Sequence, residues 1–315
     1  MLWQSLWPEP ILLLVVVLLS QLLVLPSAYH PLTLFRFYAR QLGRKVHPDP
    51  NRPENQQRLS GGLAVIVALL PPAIVSVALY MISELPLALD AVLLYCSLDW
   101  PWQRRQMLEI GRSLQQQQLT LAREQATAIL VRDTSRLNLM GLSKAMVESC
   151  ILRGGKQDLA VWFWFLLGGG IAALLYRLLL ELSQQWNTKL PVNRQFGAAA
   201  SWLIDTMAAI PMLIVSMILA LQYGIKTSLK QLRNQSLFFN RSAFYLLTCA
   251  SVAVGCSLGG PAYYGAVKIQ RSRFIQHRQP GWQDIARAIR IVHFVQLYFI
   301  LVVVGVVAAQ VALQL

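Results

Sequence analysis

Long apolar runs alternate with polar, basic stretches along this chain. A helix needs roughly 20 mainly apolar residues to cross the hydrocarbon core of a bilayer. Four segments meet that pattern, near residues 11–25, 62–82, 159–182 and 202–222, and a fifth runs over 291–313. Residues 87–98 are apolar but short and contain Asp90, which makes a weak sixth span. The pattern predicts an all-α, polytopic helical membrane protein with about five to six transmembrane helices and helical cytoplasmic segments. The opening residues carry Glu9 and no Lys or Arg. A signal peptide wants a positive n-region, so the first run reads as a retained helix with its N-terminus outside.

Between the spans, Met107, Ile110, Leu114 and Leu121 recur at roughly helical spacing and predict a helix over 102–131. A second helix is expected over 142–151, with Asp133, Thr134 or Ser135 as candidate helix caps. Residues 243–258 approach spanning length, but Gly255, Gly259 and Gly260 break them, so they read as buried protein or a re-entrant element. Residues 283–290 predict a short basic helix leading into the last span.

Composition agrees with the apolar runs. The chain has 315 residues, 56% hydrophobic and 13% charged, against roughly a quarter charged in soluble proteins. The net charge of +14 would suggest nucleic acid in a soluble protein. Here retention of basic loops on the cytoplasmic face explains it, and no nucleic-acid partner is expected. Lys and Arg number six in 28–61, nine in 99–158 and ten in 223–290, against none in 83–87 and two in 183–201. This places 28–61, 99–158 and 223–290 in the cytoplasm, an arrangement that requires residues 87–98 to cross. Cys96, Cys150, Cys249 and Cys256 form no C-x-x-C pair and read as small buried hydrophobes.

Candidate chemistry is sparse. Arg132-Asp133-Thr134 puts a guanidinium beside a carboxylate, which suits phosphate with a metal ion, or equally a helix cap with an ion pair. Glu148 on the next helix is either a second Mg²⁺-directed carboxylate or a solvated face residue. Gly168-Gly169-Gly170 marks a close helix approach or an unwound point, with no Lys-Ser or Lys-Thr to make a phosphate loop. Asp205, in the first turn of the 202–222 span, is either a functional intramembrane carboxylate or an interfacial one. His30, His47, His277 and His293 are scattered and suggest no metal site.

Several blocks occur together in a recognisable order. They are His30-Pro31; Ala122-Arg123; Arg132-Asp133-Thr134 with Leu137; Ala145, Val147 and Glu148; and Phe163-Trp164 with Gly169, Tyr176 and Arg177. Phe196-Gly197, Asp205 and Pro211 follow, then Leu258-Gly259-Gly260-Pro261 with Tyr264 and Gly265, and Asp284-Ile285 with Arg287, Ala288 and Arg290. On these residues the chain resembles the CobD/CbiB family of cobalamin-biosynthesis membrane proteins, similar to adenosylcobinamide-phosphate synthases. The resemblance runs from about His30 to Arg290 and makes residues 1–315 a single domain of that kind.

The resemblance implies ATP-dependent joining of adenosylcobyric acid to an aminopropanol, usually as its phosphate. It implies ATP and Mg²⁺, a corrinoid as substrate rather than cofactor, and a bacterial inner membrane location. It leaves open a homo-oligomer and contacts with other cobamide-assembly membrane proteins. It implies catalytic roles for Asp133, Glu148 and Asp205, with Asp133 and Glu148 toward Mg²⁺. Arg123, Arg132, Thr134, Arg177, Gly259 and Gly260 would hold substrate or phosphate. Departures oppose this. The family's E-N-x-x-D-G is replaced by Leu152, Arg153, Gly154, Gly155, Lys156 and Gln157, and its N-T-L-D-S-M by Leu180, Glu181, Leu182, Ser183, Gln184 and Gln185. Ile204-Asp205 replaces its D-D and Pro211-Met212-Leu213 its P-A-R, while Asn240 to Phe244 replace A-S-P-N-A-G. Glu181 is a candidate compensation. A non-catalytic scaffold is therefore the alternative, and a transporter, with no internal repeat to support it, ranks last.

Overall fold

The computed structural model describes residues 8–47, 49, 51–233, 240–264, 267–274, 276 and 278–314. Gly265 and His277 lie outside them. In chain order the helices are α1 (Pro8–Leu22), α2 (Pro31–Val46), α3 (Glu54–Ile82), α4 (Pro86–Ser97), α5 (Trp100–Gln115), α6 (Leu119–Thr127), α7 (Leu139–Arg153), α8 (Ala160–Gln185), α9 (Ala198–Tyr223), α10 (Ile225–Arg233), α11 (Arg241–Val254) and α12 (Gln283–Gln314). Two small antiparallel pairs complete them: β1 (Leu258–Gly259) with β4 (Arg273–Phe274), and β2 (Ala262–Tyr264) with β3 (Val267–Ile269). The all-α reading holds. Four helical runs among the described residues are long and apolar enough to cross a membrane: Glu54–Ile82, Leu139–Gln185 (α7 and α8 joined through a π-helical turn at Gly154–Leu159), Ala198–Tyr223 and Gln283–Ala309. The first apolar run forms α1, of 15 residues, and the weak span forms α4, of 12.

The chain divides into two compact units. One draws on Met1–Pro101, Gln157–Met207 and Phe299–Leu315, the other on Trp102–Lys156 and Ala208–Tyr298.

In the first unit α8 packs on α1, α2, α3 and α4. The glycine triplet is an unwound point: Gly168 and Gly169 leave helical geometry, and Gly169 has φ +66°. Unwinding frees backbone groups that cost free energy when buried in an apolar setting. Asp90 meets one of them, its Oδ1 accepting from the Gly170 N–H at 2.8 Å. A Cβ on Gly170 would stand 2.8 Å from that oxygen. The polar residue that weakened 87–98 as a span is thus the partner of the break in α8.

The same unit corrects the loop assignment. Residues 183–201, expected opposite 28–61, pack against them. Trp186 Nε1 donates to the Ala39 carbonyl at 3.0 Å, Arg58 Nε to Gln195 Oε1 at 2.7 Å, and the His47 ring stacks on Phe196 at 4.9 Å. The reason is length. At 1.5 Å per residue α4 reaches about 18 Å, short of a core about 30 Å thick. Within this unit α2, the start of α3 and residues 186–197 therefore lie together.

The second unit is built on α7, which contacts α6, α11 and β1. Met107, Ile110 and Leu114 are buried as their spacing predicted. The expected long helix breaks at Gln117, at φ +60°, and leaves Leu121 exposed on α6. The cap of α7 is none of the three residues expected, but Asn138, whose Oδ1 accepts from the Gly141 N–H at 2.7 Å. The apolar stretch at 243–258 is the buried helix α11, stopped by Gly255 at φ +73°, a conformation that suits glycine. The expected basic helix at 283–290 is the first part of the continuous α12. Cys150, Cys249 and Cys256 are buried, and all four cysteines are free thiols.

Candidate functional site

The second unit gathers three sequence blocks around one carboxylate. Glu148 lies on the inner face of α7 and is 1% exposed, so it is not the solvated residue that default reasoning expects. Its Oε2 accepts from Arg132 Nη2 at 2.7 Å and from Arg271 Nη1 at 3.0 Å. Its Oε1 accepts from the Gly259 N–H at 2.7 Å. Burial opposes ionisation, yet the two guanidinium groups outweigh it and hold the Glu148 carboxyl down at about 2. Arg132 also bonds Tyr264, and burial is again the cost that its ionic partner overcomes.

The turn at Gly259-Gly260 is shaped for this approach. Both glycines have positive φ, +73° and +90°. A Cβ on Gly259 would collide with the Ser272 carbonyl oxygen. Their N–H groups are committed, to Glu148 at Gly259 and to the Ser272 carbonyl at Gly260, at 2.8 Å. The Gly260 carbonyl accepts from Arg271 Nε at 2.9 Å. These glycines therefore permit close packing, and their amides are not available to a phosphate.

Two more cations face Gly260. Lys144 Nζ lies 3.6 Å and Arg273 Nε 3.5 Å from the position a Cβ would take there. Burial, with Arg271, Arg273 and Arg132 nearby, lowers the Lys144 pKa, against the pull of Glu148. Three cations thus act on one carboxylate, with Arg273 beside Gly260 as a fourth. Sequence reasoning missed Lys144, Arg271 and Arg273. The one available signal was the Arg271-Ser272-Arg273 run just after the Gly-Gly-Pro turn.

The remaining candidates take other positions. Asp133 Oδ1 accepts from the Ser135 N–H and hydroxyl at 3.0 and 2.7 Å, which lowers its pKa, and Oδ2 pairs with Arg136 at 3.3 Å. The Asp133 N–H donates to the Tyr263 carbonyl at 3.2 Å, tying this loop to β2. Arg123 Nε is spent on the Leu137 carbonyl at 2.8 Å, and Thr134 is buried. Asp133 and Glu148 share no partner among the described residues. No group of three or more His, Cys, Asp or Glu side chains suited to a metal occurs among them either. With Glu148 held by two arginines, these residues do not fit a protein-held Mg²⁺.

Arg177 and Asp205 belong to the first unit. Arg177 is fully buried. Its Nη2 lies 2.8 Å from Asp99 Oδ2 and 2.7 Å from Glu181 Oε1. Arg36 closes the group, at 2.7 Å from Glu181 and 3.0 Å from Asp99. Two cations meet two carboxylates there. His30 caps α2, its Nδ1 accepting from the Leu32 N–H and its Nε2 3.1 Å from the Leu98 carbonyl oxygen. Asp205 sits eight residues into α9, deeper than the first turn expected for it.

Comparisons agree with the blocks that build the site. The family model described as CobD/Cbib protein matches residues 13–292. The cobalamin biosynthesis protein CobD of Chromobacterium violaceum is 28% identical over 89% of this chain and 90% of its own length. That of Stutzerimonas stutzeri is 28% identical over 87% and 90%, and that of Listeria monocytogenes 24% over 74% and 78%. No solved structure matches the chain significantly. With a family match across residues 13–292, most of its length, this chain belongs to the CobD/CbiB family.

Proposed function

We propose that the chain acts in cobalamin biosynthesis, as its named relatives do, by ATP-dependent amide ligation of adenosylcobyric acid to an aminopropanol or its phosphate. The observation that carries this reading is the convergence of Arg132, Glu148 and Gly259, residues 16 and 111 positions apart, inside a cluster with excess positive charge. Substrates of such a reaction are anionic. The corrinoid carboxylate takes a phosphoryl group from ATP, releasing ADP. The amine nitrogen then attacks the acyl phosphate, loses a proton, and phosphate leaves. Fixed cations favour the charge that develops in both steps. In this reading Mg²⁺ arrives on the ATP phosphates, and Glu148 positions the surrounding cations rather than reacting.

The bacterial inner membrane is the proposed location. Residues 99–158 and 223–290 hold nine and ten basic residues, which favours the cytoplasm for both. ATP is available there. The test is complementation: a bacterium lacking its own synthase should make cobalamin from adenosylcobyric acid when it carries this gene. Failure despite full expression in the membrane would sink the ligase and favour a scaffold, the alternative suggested by the residues at 152–157.

A further inference from the structure

The cluster around Gly260 has more positive charge than its structure needs. Glu148 is shared by Arg132 and Arg271, and those three groups account for one another. Lys144 and Arg273 are left over. Neither has a carboxylate within ion-pair distance among the described residues. Both nonetheless flank the bare face of Gly260, where Lys144 Nζ and Arg273 Nε stand 3.6 and 3.5 Å from one point.

The like charge of Arg273 opposes that of Lys144, and the half-buried position of Lys144 adds a desolvation cost. Arg273 is exposed and Lys144 half-buried, and both flank Gly260 because their elements are fixed. Lys144 is on α7, whose Glu148 accepts from the Gly259 N–H. Arg273 is on β4, paired in register with Gly259. The backbone cannot supply donors, since the N–H groups of Gly259 and Gly260 are both used. Any ligand at this face meets an ammonium and a guanidinium, with the nearby Glu148 carboxylate already shared by Arg132 and Arg271. That donor set matches a tetrahedral oxyanion carrying two negative charges.

We infer that Lys144 and Arg273 form a grip for a phosphoryl dianion, with Arg271 as the positioning residue that holds Gly260 beneath it. The inference deepens the ligase reading and rests on it for the identity of the ligand. The dianion is supplied either by the phosphate ester of the amine or by the terminal phosphate of ATP. On the first source the grip selects the phosphorylated amine over the free amino alcohol.

The test uses the full chain in lipid nanodiscs, titrated with 1-amino-2-propanol O-phosphate, with unphosphorylated 1-amino-2-propanol and with ATP. Lys144→Ala and Arg273→Ala are each expected to weaken binding of a phosphorylated ligand about tenfold. Lys144→Arg should restore most of it. Lys226→Ala, which removes an exposed lysine elsewhere, should change nothing. Binding to the wild type should also weaken as alkaline pH discharges Lys144, and Lys144→Arg should flatten that profile.

If only the amine phosphate responds to the variants, the grip belongs to the amine. If only ATP responds, it belongs to the nucleotide. Variants that bind every phosphorylated ligand as tightly as the wild type, with unchanged thermal unfolding, would overturn the inference. The outcome is separable from complementation. A chain that fails to restore cobalamin synthesis yet binds phosphate through Lys144 and Arg273 keeps the grip and loses the ligase. A chain that complements while both alanine variants bind normally keeps the ligase and loses the grip.

Discussion

Each compact unit buries an ionic cluster, and the two clusters differ in balance. In the first unit Arg36 and Arg177 face Asp99 and Glu181, two charges of each sign. In the second, Arg132 and Arg271 hold Glu148, and Lys144 with the exposed Arg273 adds two more cations beside Gly260. In the balanced cluster the opposite charges offset one another and link α2, α8 and the segment after α4. An unbalanced one retains unspent attraction for an anion. Counting partners, rather than counting buried charges, separates a structural clamp from a binding site.

The sharpest way to break this comparison is Glu148→Ala. It would leave Arg132 and Arg271 buried beside each other with no counter-charge, a loss on the order of 3–5 kcal/mol. The expected result is a large drop in the unfolding temperature of the solubilised protein together with loss of phosphate binding. A variant as stable as the wild type would show that Glu148 does not organise the cluster. Glu181→Ala should cost somewhat less, roughly 2–4 kcal/mol, because Asp99 still faces both arginines. Its distinguishing readout is binding. Phosphate affinity should survive in the folded fraction, and its loss there would mean that the clusters do not have separate roles.

Asp90→Ala tests how the first unit tolerates its helix break. With the Gly170 N–H left without its acceptor, a loss of about 1–3 kcal/mol is expected. Asp90→Asn, which keeps an oxygen there, should recover most of it in the same melting experiment. The smallest effect at accessible pH comes from Glu148 ionisation. Its pKa is depressed from 4.5 to about 2, so the stability it lends is present above the unfolded value and is lost as pH falls through the folded one. Melting curves should be insensitive to this group from pH 7 to 5 and decline below about 4.5. Glu148→Gln should remove that part of the acid slope.

The membrane-spanning character, the helical class and the family were legible in the amino-acid sequence, because each depends on local pattern. Apolar runs of sufficient length specify spans whatever their neighbours, and an ordered set of short blocks identifies the family without any geometry. The glycine triplet was read correctly as an unwound point, since glycine is the residue that allows it. The cap of α7 was misplaced by three or more residues, because Asp133, Thr134, Ser135 and Asn138 all have capping chemistry and only the chain's path selects one.

Tertiary structure decided the rest. Glu148 and Gly259 are 111 residues apart, and no local pattern states that a carboxylate will be buried against two guanidinium groups. Long-range packing also placed Lys144 and Arg273 beside Gly260, without a carboxylate at ion-pair distance among the described residues. The packing of residues 183–201 against α2 and the start of α3 likewise has no local signal in the sequence. Sequence determined the helical class and the long apolar segments able to cross a membrane. Only the folded chain determined which charges neutralise one another, because that depends on distances between residues remote in sequence.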